Sequence, residues 1–121
     1  MSTSSSANLS LAHERLKAYQ FAEELDGLVV SICRRAPRGQ GWLLDQVQRA
    51  SGSVVLNLVE ANGRAGADRA QQLRVARGSA MEVDAALGLL ARRGLVRPEE
   101  RTKGRELSVA CVNLISGLIR V

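Results

Sequence analysis

The side chains able to do covalent or proton-transfer chemistry are few and poorly arranged for it. His13 is the single histidine. It stands beside Glu14 near the start of a helical stretch, where a surface imidazole is the ordinary outcome and a general base the rare one. Cys33 and Cys111 form no CxxC pair and imply no disulfide framework. Both fall on apolar helical faces, where a thiol packs as a small hydrophobe with a raised pKa and little reactivity. Glu23, Glu24 and Asp26 make a solvated cluster without the Glu-x-x-His pairs of di-iron bundles. The stretches Gly39 to Gly41 and Gly63 to Gly66 lack the strand and the Lys-Ser/Thr of a phosphate loop, so they read as turns. The sequence therefore predicts no catalytic residue, no metal site and no cofactor.

Charge is more informative than nucleophiles. The 121 residues are 45% hydrophobic and 24% charged, enough for one core and one domain. Seventeen basic residues, fifteen of them Arg, face twelve acidic ones, a net charge of +5. Such an excess favours polyanionic partners, because neutralising phosphates releases condensed counterions. With one Trp, one Tyr and one Phe, the composition offers almost no aromatic platform for bases. No apolar run approaches the ~20 residues that span a bilayer. The cysteine usage fits a reducing, cytoplasmic compartment.

The elements that must hold these charges are helical. Residues 1–10 are polar and Ser-rich and read as a disordered tail; residues 11–121 read as one domain. A first helix is expected over about Leu11 to Arg35, capped by Ser10, with Ala18, Ala22, Leu25, Val29, Ile32 and Ala36 on one face. Pro37 ends it. A second, from Trp42 to Asn62, carries Leu43, Val47, Ala50, Val54, Leu58 and Ala61, with a left-handed Gly63 expected after it. A third, from a cap at Asp68 to Arg93, carries Leu73, Ala76, Ala80, Val83, Leu87 and Leu90 and closes on Gly94. Pro98 opens a fourth, whose stripe is Leu107, Cys111, Leu114, Leu118 and Val121. No stretch alternates like a strand. The expected fold is all-α, an antiparallel up-down-up-down four-helix bundle.

Two features exceed what a lone bundle needs. Val109, Val112, Ile115 and Ile119 lie off the fourth core stripe, and Leu44, Val55 and Val59 off the second. A helix apolar nearly all round is buried nearly all round, so this surface predicts contact between subunits, against the alternative of scattered exposed Val and Ile. Gly27, Gly52, Gly78, Gly88 and Gly117 inside helices would suit close helix–helix approach. Beside the core, Gln46, Ser53, Asn57, Glu60 and Arg64 follow three- and four-residue spacing along the second helix, and Arg77, Ser79 and Glu82 stand between core residues of the third. Polar groups flanking a core need partners. These form either a hydrogen-bonded seam, between helices or between subunits, or a ligand or nucleic-acid site.

The arginines are unevenly distributed. In an up-down-up-down bundle the first and third connections share one end. That end collects Arg34, Arg35, Arg38, Arg92, Arg93, Arg97 and Arg101 against Glu99 and Glu100, an excess equal to that of the whole chain. Arginine at helix C-termini complements the macrodipole, which accounts for Arg34, Arg35, Arg92 and Arg93. It does not account for Arg38 and Arg97 in the connections. The end is a candidate phosphate-facing surface.

The second-helix residues Gln46, Arg49, Ala50, Ser53, Val54, Asn57, Leu58 and Glu60, closing with Gly63 and Arg64, resemble the proteins encoded in intervening sequences of 23S rRNA genes. Leu73, Ala76, Arg77, Gly78, Ser79 and Glu82 agree, as do Gly94, Leu95 and Val96. The resemblance runs from about Leu11 to Ile119. It departs at Ala61 and Asn62, where the family favours a glycine, and at Arg97, where it favours a serine cap. The family includes the accessory variability protein of diversity-generating retroelements. The resemblance implies four-helix bundles assembled into pentameric rings, and for the retroelement member a basic surface that binds nucleic acid and its reverse transcriptase. The expectation for this chain is a non-enzymatic homo-oligomer, a pentamer. It would bind RNA or DNA, as an accessory to a reverse transcriptase or another larger protein. The alternative is a protein-interaction scaffold without nucleic-acid binding.

Overall fold

A computed structural model describes residues 10–121, so the expected tail lies outside the described residues apart from Ser10. Four α-helices and no strand are found among the described residues: α1 Lys17–Arg35, α2 Gly41–Asn62, α3 Gly66–Arg92 and α4 Pro98–Ile119. α1 neighbours α2 and α4, and α3 neighbours the same two, so the four enclose a common core.

The first helix starts later than its apolar pattern suggests. Residues Ala12–Arg15 form a short 3-10 turn, and Leu16 is extended at ψ 129°. Local polar bonds compete with the helix here. The Glu14 carboxylate accepts from the Leu11 N–H at 2.8 Å, and the Gln20 amide donates to the Glu14 carbonyl at 3.1 Å. The caps of α3 also differ. Its first residue is Gly66, with Ala65 at the N-cap and Asp68 already inside the first turn. Gly63 has an ordinary negative φ of −91°, not the left-handed value expected. Gly94 does take the left-handed conformation, φ 76°, and ends α3. The Leu95 N–H returns to the Leu90 carbonyl and the Gly94 N–H to the Ala91 carbonyl, both at 3.0 Å. This Schellman arrangement satisfies carbonyls that the helix end would orphan.

The core stripes of α1, α2 and α3 are the expected ones, except that Ala36 is only half-buried. They form two clusters. One, rich in branched residues such as Leu25, Ile32, Leu87 and Leu90, lies under the arginine-bearing connections. In the other, half of the buried members are alanines, packed with Leu58, Leu73, Cys111 and Ile115.

α4 is rotated relative to expectation. Its inner face is Gly104, Leu107, Ser108, Cys111 and Ile115. Leu114 and Leu118 are only half-buried, and Val121 is 98% exposed. Ile115 is fully buried, so it belongs to the core and not to a second, interface stripe; Val112 and Ile119 are half-buried and Val109 is 43% exposed. The cause is Gly104. A Cβ built there would stand 2.6 Å from Leu87 Cδ1, so bare backbone faces α3 at this point and turns the helix about one residue. Of the five glycines expected to allow close approach, only Gly88 meets another helix, at the Arg101 side chain of α4. A Cβ at Gly27, Gly52, Gly78 or Gly117 meets nothing within 4 Å.

Gly104→Ala should destabilise the protein by about 1–3 kcal/mol through overpacking against the buried Leu87, more than the helix-propensity gain of up to about 1 kcal/mol. Gly27→Ala, on the exposed face of α1, should keep only that gain. Urea unfolding of both variants measures the contrast, and shifts of the same sign would contradict this packing account.

Candidate functional site

The arginine-bearing end is assembled around Glu100. Arg35, the last residue of α1, holds both carboxylate oxygens of Glu100, with Nη1 to Oε2 at 2.6 Å. Arg35 also donates to the Leu95 carbonyl at 3.4 Å. Glu100 in turn accepts from the Arg97 main-chain N–H at 2.9 Å, capping the start of α4. On the other side, Arg93 Nη1 donates to Gln40 Oε1 at 3.1 Å. These bonds join the α1–α2 connection to the end of α3 and α1 to the α3–α4 connection. The two connections therefore share one end of the molecule.

The seven arginines named for this end divide into two groups. Arg35 is neutralised by Glu100, and Arg101 turns along α3 to Asp84 Oδ1 at 2.8 Å. Gly88 makes room for it, since a Cβ there would lie 3.3 Å from Arg101 Nη2. Arg105 takes the other Asp84 oxygen at 2.7 Å. Neither Arg35 nor Arg101 is thus free to meet a phosphate. Arg34, Arg38, Arg92 and Arg97 are exposed, and their guanidinium groups make no ion pair among the described residues. Arg93 is exposed too and retains its charge against the neutral Gln40.

The polar residues beside the core do not form one continuous seam. Between α2 and α3 a single side-chain bridge exists, Ser79 Oγ to Ser53 Oγ at 2.8 Å. Asn57 supports it from one turn away, donating to the Ser53 carbonyl at 2.8 Å and to Ser53 Oγ at 2.9 Å. Glu60 and Arg64 instead pair with each other on the surface at 3.2 Å. Arg77 turns to α4 and donates to Ser116 Oγ at 3.2 Å. Glu82 is exposed and lines a groove between α2 and α3 with Trp42, Gln46 and Leu89.

Trp42 is the residue that sequence reasoning passed over. It was counted among too few aromatics, yet it is 63% exposed, at the same end as the arginines, with the Arg93 guanidinium 5.8 Å over its ring. The signal was its position, directly after an arginine-bearing connection and before the first core residue of α2. The cysteines carry no comparable signal. Burial pushes the Cys111 thiol up to about 12 and raises Cys33 as well. Among the described residues no three His, Cys, Asp or Glu side chains come together as metal ligands. No helix there is long and apolar enough to cross a membrane.

The Arg35 hydrogen bond holds the Glu100 carboxyl below its ordinary range, burial opposes that shift, and the Arg97 N–H adds to it. A folded-state pKa below the unfolded one gives stability that is complete above the unfolded value of about 4.3 and is lost as pH falls below it. Denaturation between pH 7 and pH 3 should therefore show a steeper loss for the natural chain than for Glu100→Gln. Parallel curves would mean that the bridge contributes nothing.

Among curated proteins no relative matches the chain. The model of one protein family, the 23S rRNA-intervening sequence proteins, matches residues 14–117. That span takes in α1, α2, α3, all but the last two residues of α4 and both connections at the arginine-bearing end, so the chain belongs to the 23S rRNA-intervening sequence protein family.

Proposed function

We propose that the chain is a non-enzymatic, cytoplasmic module that assembles with copies of itself and binds RNA or DNA through its arginine-bearing end. The observation that carries this reading is the set of exposed guanidinium groups of Arg34, Arg38, Arg92 and Arg97, which have no carboxylate partner among the described residues. The helix dipole rewards Arg34 and Arg92 in the last turns of α1 and α3, but the monomer gains nothing from Arg38 and Arg97 beside them, whereas a polyphosphate releases counterions on meeting all four. The helices run in alternate directions, up-down-up-down. The pairing of Asp84 with Arg105 and of Arg69 with the Leu118 carbonyl supports opposite directions for α3 and α4.

Assembly is supported by the distribution of exposed apolar side chains. Away from the arginine-bearing end, Leu56 on α2, Val75 and Met81 on α3, and Val109 on α4 are exposed, while α1 presents no exposed large hydrophobic residue. Between α3 and α4 a groove of about 310 Å³ is lined by Met81, Val109, Val112 and Ser108. The buried Ser108 hydroxyl finds no hydrogen-bond partner among the described residues. The proposed assembly is a closed ring, a pentamer, with Val109, Val112 and Ile119 toward the neighbouring copy. A reverse transcriptase or another larger protein is the proposed further partner. The same apolar face is what a pure protein scaffold would need, and the binding test separates that reading.

Light scattering coupled to size exclusion should give about five times the 13.0 kDa monomer, and Val109→Asp should lower it, because a charge buried at an interface costs several kcal/mol. A monomer at micromolar concentration would remove the ring. For binding, Arg38→Glu with Arg97→Glu should weaken RNA or DNA binding uniformly across sequences. It should also flatten the log–log salt dependence by about one unit per lost phosphate contact. Reversal of Arg15 with Lys17 is the control and should matter less. Equal losses in the two double variants would mean diffuse attraction and no defined end. Absence of binding at ~50 mM salt, where such contacts are strongest, would leave the scaffold reading.

A further inference from the structure

Trp42 is the single tryptophan of the chain, and its exposure of 63% gives up most of what burying an indole would gain. It is the second residue of α2, directly after the connection that carries Arg38 and Gln40. The Arg93 guanidinium lies over its ring at 5.8 Å and is itself fixed by Gln40. Beside the indole opens a groove of about 260 Å³ between α2 and α3, where Gln46, Glu82 and the half-exposed Leu89 join Trp42 in the lining. An exposed aromatic ring, a stacked guanidinium and unpaired arginines thus stand together at one end.

We infer that Trp42 and this groove form a seat for one unpaired base of a single-stranded nucleic acid, with the phosphates on either side held by Arg38, Arg92 and Arg93. The inference rests on the nucleic-acid reading above and adds the class of strand. Bases in a duplex stack on each other and offer no free face, so a lone aromatic platform selects unpaired bases. The groove has the polarity for this task. Glu82 offers only acceptors, so it repels phosphate from the groove and accepts from the exocyclic amino group of a base, as carboxylates do with cytosine N4. Phosphate is thereby directed to the arginines and the base to the ring. Two copies meeting here across a two-fold axis would bring unpaired arginines against one another, and a head-to-tail contact of the ring at this face is read directly from the assembly mass.

The sole tryptophan makes the test local, since emission excited at the red edge, where Tyr19 does not absorb, reports this site alone. The protein is titrated with a single-stranded oligonucleotide of about 12 nucleotides, a length within the usual site sizes, and with the duplex of the same sequence. The single strand should quench the emission and the duplex should not. Trp42→Ala should weaken single-strand binding about tenfold, the scale of one lost base stack, and leave duplex binding and assembly mass unchanged. Trp42→Phe should recover most of that loss. Oligocytidylate should bind more tightly than oligouridylate, and Glu82→Gln should narrow the gap. If the single strand shifts in a gel but neither the emission nor Trp42→Ala responds, the base seat is wrong and the basic end still binds phosphates. If neither strand binds, the nucleic-acid reading itself falls. If Trp42→Ala changes the assembly mass, the groove is a subunit contact and the seat is overturned.

Discussion

Glu100 is a carboxylate that two otherwise unrelated parts of the chain both require. Without it the Arg97 main-chain N–H at the N-cap of α4 loses its acceptor, and the guanidinium at the end of α1 loses its counter-charge. Because Arg35 also reaches the Leu95 carbonyl, the same joint fixes the short connection between α3 and α4 against α1. The positions of Arg92, Arg93 and Arg97 relative to Arg34 and Arg38 follow from that joint. A charged surface built on connections is usually mobile. Here it is tied down by a two-pronged ion pair and by a Schellman turn immediately before it.

The division of the arginines is equally a matter of available carboxylates. Asp84 on α3 draws Arg101 and Arg105 down the α3–α4 face, and Gly88 leaves the space that Arg101 needs. The end contributes few acids of its own. Once Glu100 is committed, the acids left near this end are Glu99, Asp45 close to Cys33 and Glu82 beside Trp42, and none of them forms an ion pair among the described residues. The surplus positive charge is thus a consequence of which acids sit within reach, more than of how many arginines the sequence contains.

Much of this was legible in the sequence because large apolar residues at three- and four-residue steps leave little doubt about which way a helix faces. That held for α1, α2 and α3. It failed for α4, where the residue that sets the face is Gly104, which has no side chain to announce itself, and Ile115 was consequently assigned to the wrong side. The start of α1 was misjudged because Glu14 and Gln20 bond to nearby main chain and close a tight turn that no hydrophobic pattern encodes. At the candidate site, the meeting of two arginine-rich connections could be expected from where the helix breaks fall, and the Arg35–Leu95 and Arg93–Gln40 bonds show it. Which arginines are spent on carboxylates could not, since Arg101 and Asp84 are partners only after folding. Nor could the surface pairing of Glu60 with Arg64, or the turn of Arg77 toward Ser116, be told apart from a continuous seam by spacing alone.

The two halves of the core differ in more than composition. Around Leu25, Ile32, Leu87 and Leu90 each side chain removes a large apolar area from water, whereas alanines at 18, 22, 61, 76 and 80 remove little. Local opening costs least where the fewest apolar contacts are broken. Main-chain amides in the alanine-rich half should therefore exchange with solvent sooner than those under the arginines, and the bundle should breathe from one end. The surface that carries the unpaired charge is then the stiff end of the molecule. The main chain that carries those arginines holds its place while the far end absorbs thermal motion.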